Sequence, residues 1–140
     1  MCALSPRKHY YPRRKRIALQ KGLGIAWTGK NEMELEEASV DYKIGLFPFA
    51  ASGRAKVMNQ SSGMVKIISS KENDQILGVH IIGPMAGELI GEAVLAMEFE
   101  ASTEDLQRTI HAHPSLSEAI HEAALAADNR ALNFCHDFWG

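Results

Sequence analysis

Histidine and glutamate side chains are concentrated in one short stretch of the chain, HAHPSLSEAIHE, which spans residues 111–122. The residues are His111, His113 and His121, with Glu118 and Glu122. Imidazole binds metal ions and transfers protons near neutral pH, and a neighbouring carboxylate supports both kinds of chemistry. The stretch therefore indicates two candidate sites, a metal centre and an acid–base pair.

A metal centre would need ligands that the sequence supplies only in part. His111 and His113 could project from the same side of an extended segment, and Glu118 with His121 has the spacing found in carboxylate-bridged di-iron bundles. A second Glu-x-x-His is missing, and Leu125 stands where a zinc-protease helix has its second histidine. We therefore predict no metal site.

An acid–base pair would consist of His113 and Glu118. His113 precedes a proline and the start of a predicted helix, so one ring nitrogen could face a substrate while the other donates to Glu118. That carboxylate would fix the tautomer and make the free nitrogen a stronger base. The alternative is a capping box, Ser115-Leu-Ser-Glu118, in which Glu118 only accepts from the amide of the capping residue. Spacing alone favours the cap and leaves both interpretations open.

Helices are predicted around these residues. Apolar side chains recur at helical spacing after Pro84, and Ser102 with Asp105 has the pattern of a helix start. The predicted helices span 86–99, 103–110 and 115–127. A shorter helix, 32–38, is predicted after Asn31 as its N-cap.

Strands are predicted ahead of these helices. Apolar and β-branched residues between turn sequences favour strands at 25–28, 42–49, 54–58, 63–68 and 75–82, with a hairpin loop at 71–74. Residues 1–21 show no such pattern and are predicted to form an irregular arm. Strands followed by helices indicate an α+β fold, an antiparallel β-sheet with helices packed on one face.

Length and composition fit one globular domain. The chain has 140 residues, of which 46% are hydrophobic and 23% are charged, and this is enough apolar material for a single core. Its apolar runs are shorter than the about 20 residues that cross a bilayer. Its start also lacks the apolar region of a secretory signal. We therefore predict a soluble protein without a membrane segment.

Charge is distributed unevenly along the chain. Residues 1–21 carry seven basic and no acidic side chains, whereas residues 22–140 carry eight basic and seventeen acidic ones. Nucleic-acid binding requires a cationic surface that neutralises phosphates, so the acidic body argues against a nucleic-acid partner. The basic arm is the feature that an interaction module could use.

Cofactor motifs are incomplete. Gly22 and Gly24 begin a stretch similar to a dinucleotide-binding loop, but Trp27 occupies the position of its third glycine. Cys2 and Cys135 lie near opposite ends of the chain, so neither a disulfide nor a paired redox motif is expected. We predict that this chain alone binds no cofactor.

Several segments together resemble the C-terminal dimerisation, or interface, domain of the dihydrolipoyl dehydrogenases, which are pyridine nucleotide-disulfide oxidoreductases. The matching segments are YKIGLFPFAASGRAK, GMVKII, ILGVHIIGPMAGELI, AMEFEASTEDLQRTI and HAHPSLSEAIHEAALAA. The resemblance covers residues 24–134. It divides the chain into a basic divergent arm (1–23), a dimerisation domain (24–134) and a divergent tail (135–140).

The resemblance implies a role for the acid–base pair. His113 resembles the family's base, which takes a proton from a dihydrolipoyl thiol, and Glu118 resembles the residue that orients it. In the family this pair acts across the dimer interface, on a redox disulfide and a flavin held by the other subunit. FAD and NAD therefore belong to the full-length enzymes, and this domain is not expected to be active alone.

The resemblance also implies partners. We expect a homodimer, or a heteromer with a full-length reductase subunit, and a lipoyl substrate only in a completed site. The alternatives are an interaction module that uses the basic arm, and the interface domain of a sister reductase for glutathione or mycothiol disulfide. The cytoplasm is the expected location, and the mitochondrial matrix is the alternative.

Overall fold

The computed structural model describes residues 16–20 and 23–134 of the chain. Its centre is a sheet of five strands in the order β1-β2-β5-β4-β3, in which every neighbouring pair is antiparallel. The strands are β1 (Arg16–Gln20), β2 (Leu23–Gly29), β3 (Tyr42–Pro48), β4 (Met64–Ser70) and β5 (Ile76–Gly83).

Five helices accompany the sheet. They are α1 (Glu32–Glu37), α2 (Gly53–Val57), α3 (Ala86–Glu98), α4 (Thr103–Arg108) and α5 (Glu118–Ala126), with a 3-10 turn at Phe49–Ala51. Among the described residues, no helix combines the length and apolarity needed to cross a bilayer. The predicted α+β class with an antiparallel sheet is confirmed.

One face of the sheet carries the main core and positions the candidate site. Helix α3 packs on β2 and β5, α5 packs on β3 and β4, and α4 packs on α5. Side chains alternate across a strand, so Val65 and Ile67 of β4 point to this face together, where both are fully buried. They pack with Ile81 and with Ile120 of α5. The core therefore fixes α3 and α5 relative to each other.

Helix α1 lies against the opposite face. Lys66 stands between the two core residues of β4 and so points the other way, and its Nζ lies 2.6 Å from Glu32 Oε1. Leu35 of α1 is fully buried. The sheet is thus covered by three helices on one face and in part by a short helix on the other.

The predicted helix starts at Asn31 and Ser102 are confirmed. The Asn31 side chain accepts from the amide of Glu34 at 2.9 Å, and the Glu34 carboxylate accepts from the amide of Asn31 at 2.9 Å. Ser102 and Asp105 form the same reciprocal arrangement at the start of α4. Local side-chain bonds therefore set where both helices begin.

Two predictions about secondary structure were wrong. The strand expected at 54–58 is helix α2, because Ser52 Oγ accepts from the amide of Ala55 at 3.3 Å and Ala55 is fully buried. The arm expected to be irregular contains strand β1, whose backbone pairs with β2. The rest of the arm before Arg16, with Cys2, and the tail 135–140, with Cys135, lie outside the described residues.

Candidate acid–base site

The structure brings His113 and Glu118 together. His113 Nδ1 lies 2.8 Å from Glu118 Oε1, a hydrogen-bond distance. The His113 side chain is 80% exposed and that of Glu118 is 33% exposed. Helix α5 begins at Glu118, so a rigid element holds the carboxylate while the ring remains accessible to a binding molecule.

Glu118 also takes part in the start of the helix. Its Oε2 accepts from the backbone amide of Ser115 at 2.8 Å, as the capping interpretation predicted. The reciprocal half of the capping box is missing, since within the described part of the chain Ser115 Oγ is buried without a hydrogen-bond partner. The residue that caps α5 is Ser117, and its side chain makes no capping bond. Glu118 therefore makes one hydrogen bond that each interpretation expects, whereas the complete capping box is not formed.

The electrostatic environment of Glu118 keeps it ionised. Partial burial acts to raise its pKa, but hydrogen bonds from the Ser115 amide and the His113 ring outweigh this effect, and the pKa lies below its usual value. An ionised carboxylate accepts hydrogen bonds only, so His113 must donate through Nδ1. In the neutral ring Nε2 is then the nitrogen that can accept a proton.

His111 and His113 do not point to a common ligand position. The His111 side chain is 6% exposed, and its Nε2 lies 2.5 Å from Glu92 Oε1 on α3. Its ring centre lies 5.2 Å from that of His121. No group of three potential ligands that could hold a metal ion is found among the described residues.

Glu122 is engaged in structure and lies outside the acid–base pair. It is only 5% exposed and accepts from the amides of Leu132 and Asn133 at 2.9 and 3.3 Å and from Asn133 Nδ2 at 2.6 Å. These bonds tie the last described residues to α5.

Sequence reasoning missed Glu92, because it lies 19 residues from His111 and no local pattern joins the two.

Three exposed apolar side chains lie on α3 and on the segment that leads to the pair. Leu95 and Phe99 share a face of α3 with Glu92, because residues three and four apart are neighbours on a helix, and Glu92 holds His111. Leu95, Phe99 and Ile110 are 59%, 77% and 95% exposed. We call these three residues the Phe99 patch. Exposed apolar groups of this kind mark interaction surfaces.

The described part of the glycine-containing segment, residues 23–27, does not form a phosphate-binding loop. Most of the glycine-containing stretch noted in the sequence lies in strand β2, which pairs with both β1 and β5. A Cβ added to Gly24 would lie 3.2 Å from Ala86 Cβ, so this glycine serves the packing of α3 on the sheet. A phosphate-binding loop instead leads from a strand into a helix N-terminus.

Comparison with known proteins gives the family. Residues 20–124 match the family described as pyridine nucleotide-disulphide oxidoreductase, dimerisation domain. Mitochondrial dihydrolipoyl dehydrogenases are 56% identical in Sus scrofa and 53% identical in Homo sapiens, in each case over 111 residues. These matches cover 79% of this chain and 22% of each relative, so the chain spans about a fifth of those enzymes.

Solved structures agree in fold. The crystal structure of LpdA from Mycobacterium tuberculosis matches with a TM-score of 0.73 and 27% identity, covering 79% of this chain and 24% of that one. The HOCl-induced flavoprotein disulfide reductase RclA from Escherichia coli, in a Cu(II) complex, matches with a TM-score of 0.74 over 79% of this chain and 25% of that one. Its identity of 24% supports the fold alone. This chain belongs to the dimerisation-domain family of the pyridine nucleotide-disulphide oxidoreductases.

Proposed function

We propose that this chain pairs with a dihydrolipoyl dehydrogenase subunit and supplies His113 and Glu118 to that subunit's active site. The observation that carries the proposal is the hydrogen bond of 2.8 Å between His113 Nδ1 and the ionised Glu118. The His113 side chain that makes this bond is 80% exposed. An exposed, oriented imidazole is suited to accept a proton from a molecule bound outside this domain.

His113 would act as the base towards a dihydrolipoyl thiol. Nδ1 donates to Glu118, so Nε2 takes the proton from the thiol and the carboxylate stabilises the resulting imidazolium. The thiolate then attacks one sulfur of a disulfide in the partner, which forms a mixed disulfide and releases the other sulfur as a thiolate. The disulfide, FAD and NAD would belong to the partner, where the flavin supplies the electron transfer.

The Phe99 patch would form part of the surface that meets the partner. Its three side chains are among the most exposed large apolar groups of the described residues, and Ile110 lies three residues before His113. Burial of these groups removes apolar area from water and so favours association. A second copy of this chain or a full-length subunit would cover them, and the full-length subunit would bring its active site to His113.

Complementation tests the proposal. The chain is co-expressed with the Sus scrofa dihydrolipoyl dehydrogenase carrying glutamine at the position aligned with His113, and dihydrolipoamide oxidation by NAD is measured on the purified complex. We expect the chain to restore activity by about 100-fold or more over the inactive enzyme, because general acid–base catalysis contributes about 10²–10⁴-fold.

The controls separate assembly from chemistry. A His113→Gln chain should associate equally well but restore no activity, and light scattering reports the mass of each complex. The chain purified alone should show no flavin absorbance and no turnover. A complex that forms but stays inactive with the unaltered chain would contradict the proposed role of His113, and stoichiometric flavin on the chain alone would contradict the assignment of FAD to the partner.

We infer the mitochondrial matrix as the location, on the basis of the relatives. The relatives from Sus scrofa and Homo sapiens are both described as mitochondrial. The cytoplasm predicted from the sequence remains the alternative. Fractionation of cells that express the full chain with a C-terminal tag distinguishes the two compartments.

A further inference from the structure

The segment that carries His113 has one buried side chain, that of His111. Every residue from Arg108 to Pro114 is exposed except His111, whose side chain is 6% exposed. The His113 side chain, two residues later, is 80% exposed. Within this stretch, His111 is therefore the one side chain that packs into the domain.

Both ring nitrogens of His111 face acceptors. Nε2 lies 2.5 Å from Glu92 Oε1, and Nδ1 lies 3.0 Å from the carbonyl oxygen of Thr109. A carboxylate and a carbonyl can only accept hydrogen bonds, and a neutral imidazole has a single N–H. The neutral ring can therefore donate to only one of the two acceptors at a time, whereas a ring that carries both protons can donate to both.

Two carboxylates and a second imidazole lie near His111. Glu92 faces it from α3, and Glu118 lies on α5 within electrostatic range. The nearby ring of His121 has a pKa below its usual value, because burial and the charge of His111 both oppose its protonation, although Glu122, Glu118 and Glu92 act in the other direction. The cluster thus has two carboxylates near one imidazole whose two nitrogens each contact an acceptor.

We propose that His111 is a positioning residue, which holds the segment after α4 against α3 so that His113 meets Glu118. The bond to Glu92 fixes the segment to a helix whose place is set by the core, and the bond to Thr109 shapes the segment itself. His113 then extends from a fixed point towards the start of α5. The catalytic meaning of this arrangement rests on the proposed function, whereas the coupling between the two histidines does not.

Ring ¹⁵N spectra of the full chain test the coupling. We expect His113 to show one tautomer with its proton on Nδ1. Glu92→Gln removes the charge and keeps the size of the side chain. In this variant His111 loses its ionised partner on α3, and His113 should shift to a mixture of tautomers.

Glu88→Gln is the matched control. Glu88 is an exposed acid one turn earlier on α3, and its replacement should leave both histidines unchanged. Circular dichroism shows whether each variant is folded. If Glu92→Gln fails to fold, His111→Gln tests the other end of the same bond and should cause the same shift at His113.

The proposal is overturned if His113 gives the wild-type spectrum in the folded variants. These spectra require no partner and no activity. A chain that fails to complement but shows the coupled shifts would therefore contradict the proposed function and leave the positioning role in place. A chain that complements without the coupled shifts would contradict the positioning role and support the proposed function.

Discussion

Glu118 joins the start of a helix to the candidate base. One carboxylate oxygen accepts from the Ser115 amide and the other from the His113 ring, each at 2.8 Å. A carboxylate has about four lone-pair positions, so the two bonds do not compete. The backbone bond fixes the plane of the carboxylate, and the carboxylate then orients the imidazole. Glu118 therefore stabilises the start of the helix and also orients the candidate base.

Replacement of Glu118 by alanine should destabilise the domain. We expect the free energy of unfolding at about pH 7 to fall by roughly 1 kcal/mol, because the Ser115 amide loses its acceptor at the helix start. Urea denaturation measures the change. Glu104→Ala is the control, since Glu104 lies in the first turn of α4 and pairs with the exposed Arg108. Its loss should cost less than about 0.5 kcal/mol.

The effect of Glu118 should depend on pH. Burial acts to raise its pKa, but the Ser115 amide and His113 lower it further than burial raises it. A carboxyl with a lowered folded pKa contributes its full stabilisation above the unfolded value of about 4.3, and this is lost as pH falls through the folded value. The stability difference between the wild type and Glu118→Ala should therefore shrink on acidification, and a growing difference would contradict this account.

At the scale of elements, a glycine sets how closely α5 approaches the sheet. Gly45 lies in β3, and a Cβ built there would lie 1.9 Å from the carbonyl oxygen of Ala123 and 2.5 Å from the amide nitrogen of Ala127. Only a residue without a side chain allows the helix backbone to pack at this distance. Because Glu118 begins the same helix, this contact also sets the position of the site.

Gly45→Ala should therefore destabilise the fold. The added methyl meets backbone atoms that cannot rotate away, and overpacking of this kind costs roughly 1–3 kcal/mol. Thermal unfolding measures the loss. Gly91→Ala is the control, because an added Cβ there meets no atom within 4 Å. Gly91 lies inside α3, so that variant should gain about 0.5–1 kcal/mol. Equal stability of Gly45→Ala and wild type would contradict the close contact.

At the scale of the whole molecule, one lysine connects distant parts of the chain. Lys43 Nζ on β3 lies 2.7 Å from Asp74 in the hairpin loop and also bonds to Asp128 beyond α5. Gln107 of α4 donates to Asp128 at 2.7 Å. Asp74 in turn accepts from the hydroxyl of Thr103 at 2.5 Å. The sheet and two helices therefore share one polar network.

Lys43→Met should make the fold more sensitive to acid. Burial acts to raise the pKa of Asp74 and of Asp128, but hydrogen bonds, first among them those from Lys43, hold both pKa values below the usual range. Their stabilisation is complete above the unfolded pKa of about 3.9 and is lost as pH falls through the folded values. Without the ammonium group both pKa values rise, so the midpoint of acid unfolding should move to higher pH.

The variant should also lose roughly 1–3 kcal/mol at about pH 7, because two partly buried carboxylates remain without their cation. Denaturant and acid titrations followed by circular dichroism measure both effects. Lys66→Met is the control, since it removes a lysine bonded to a single carboxylate, that of Glu32. Lys66→Met should therefore lose less stability than Lys43→Met. An acid midpoint for Lys43→Met at or below that of the wild type would contradict the role of the network.

Local patterns in the sequence determined most of the elements. The alternation that predicted strands and the caps that predicted helix starts, as at Asn31 and Ser102, involve residues within four positions of one another. Such patterns act before any tertiary contact forms. The resemblance to a family selected His113 and Glu118, whereas their spacing alone had favoured a helix cap.

Only the tertiary structure decided which distant groups meet. Lys43 and Asp128 are 85 residues apart, and His111 and Glu92 are 19 apart, so no short-range periodicity relates the members of either pair. These outcomes depend on packing of the sheet against its helices, because it is packing that brings residues far apart in the chain within reach of a hydrogen bond.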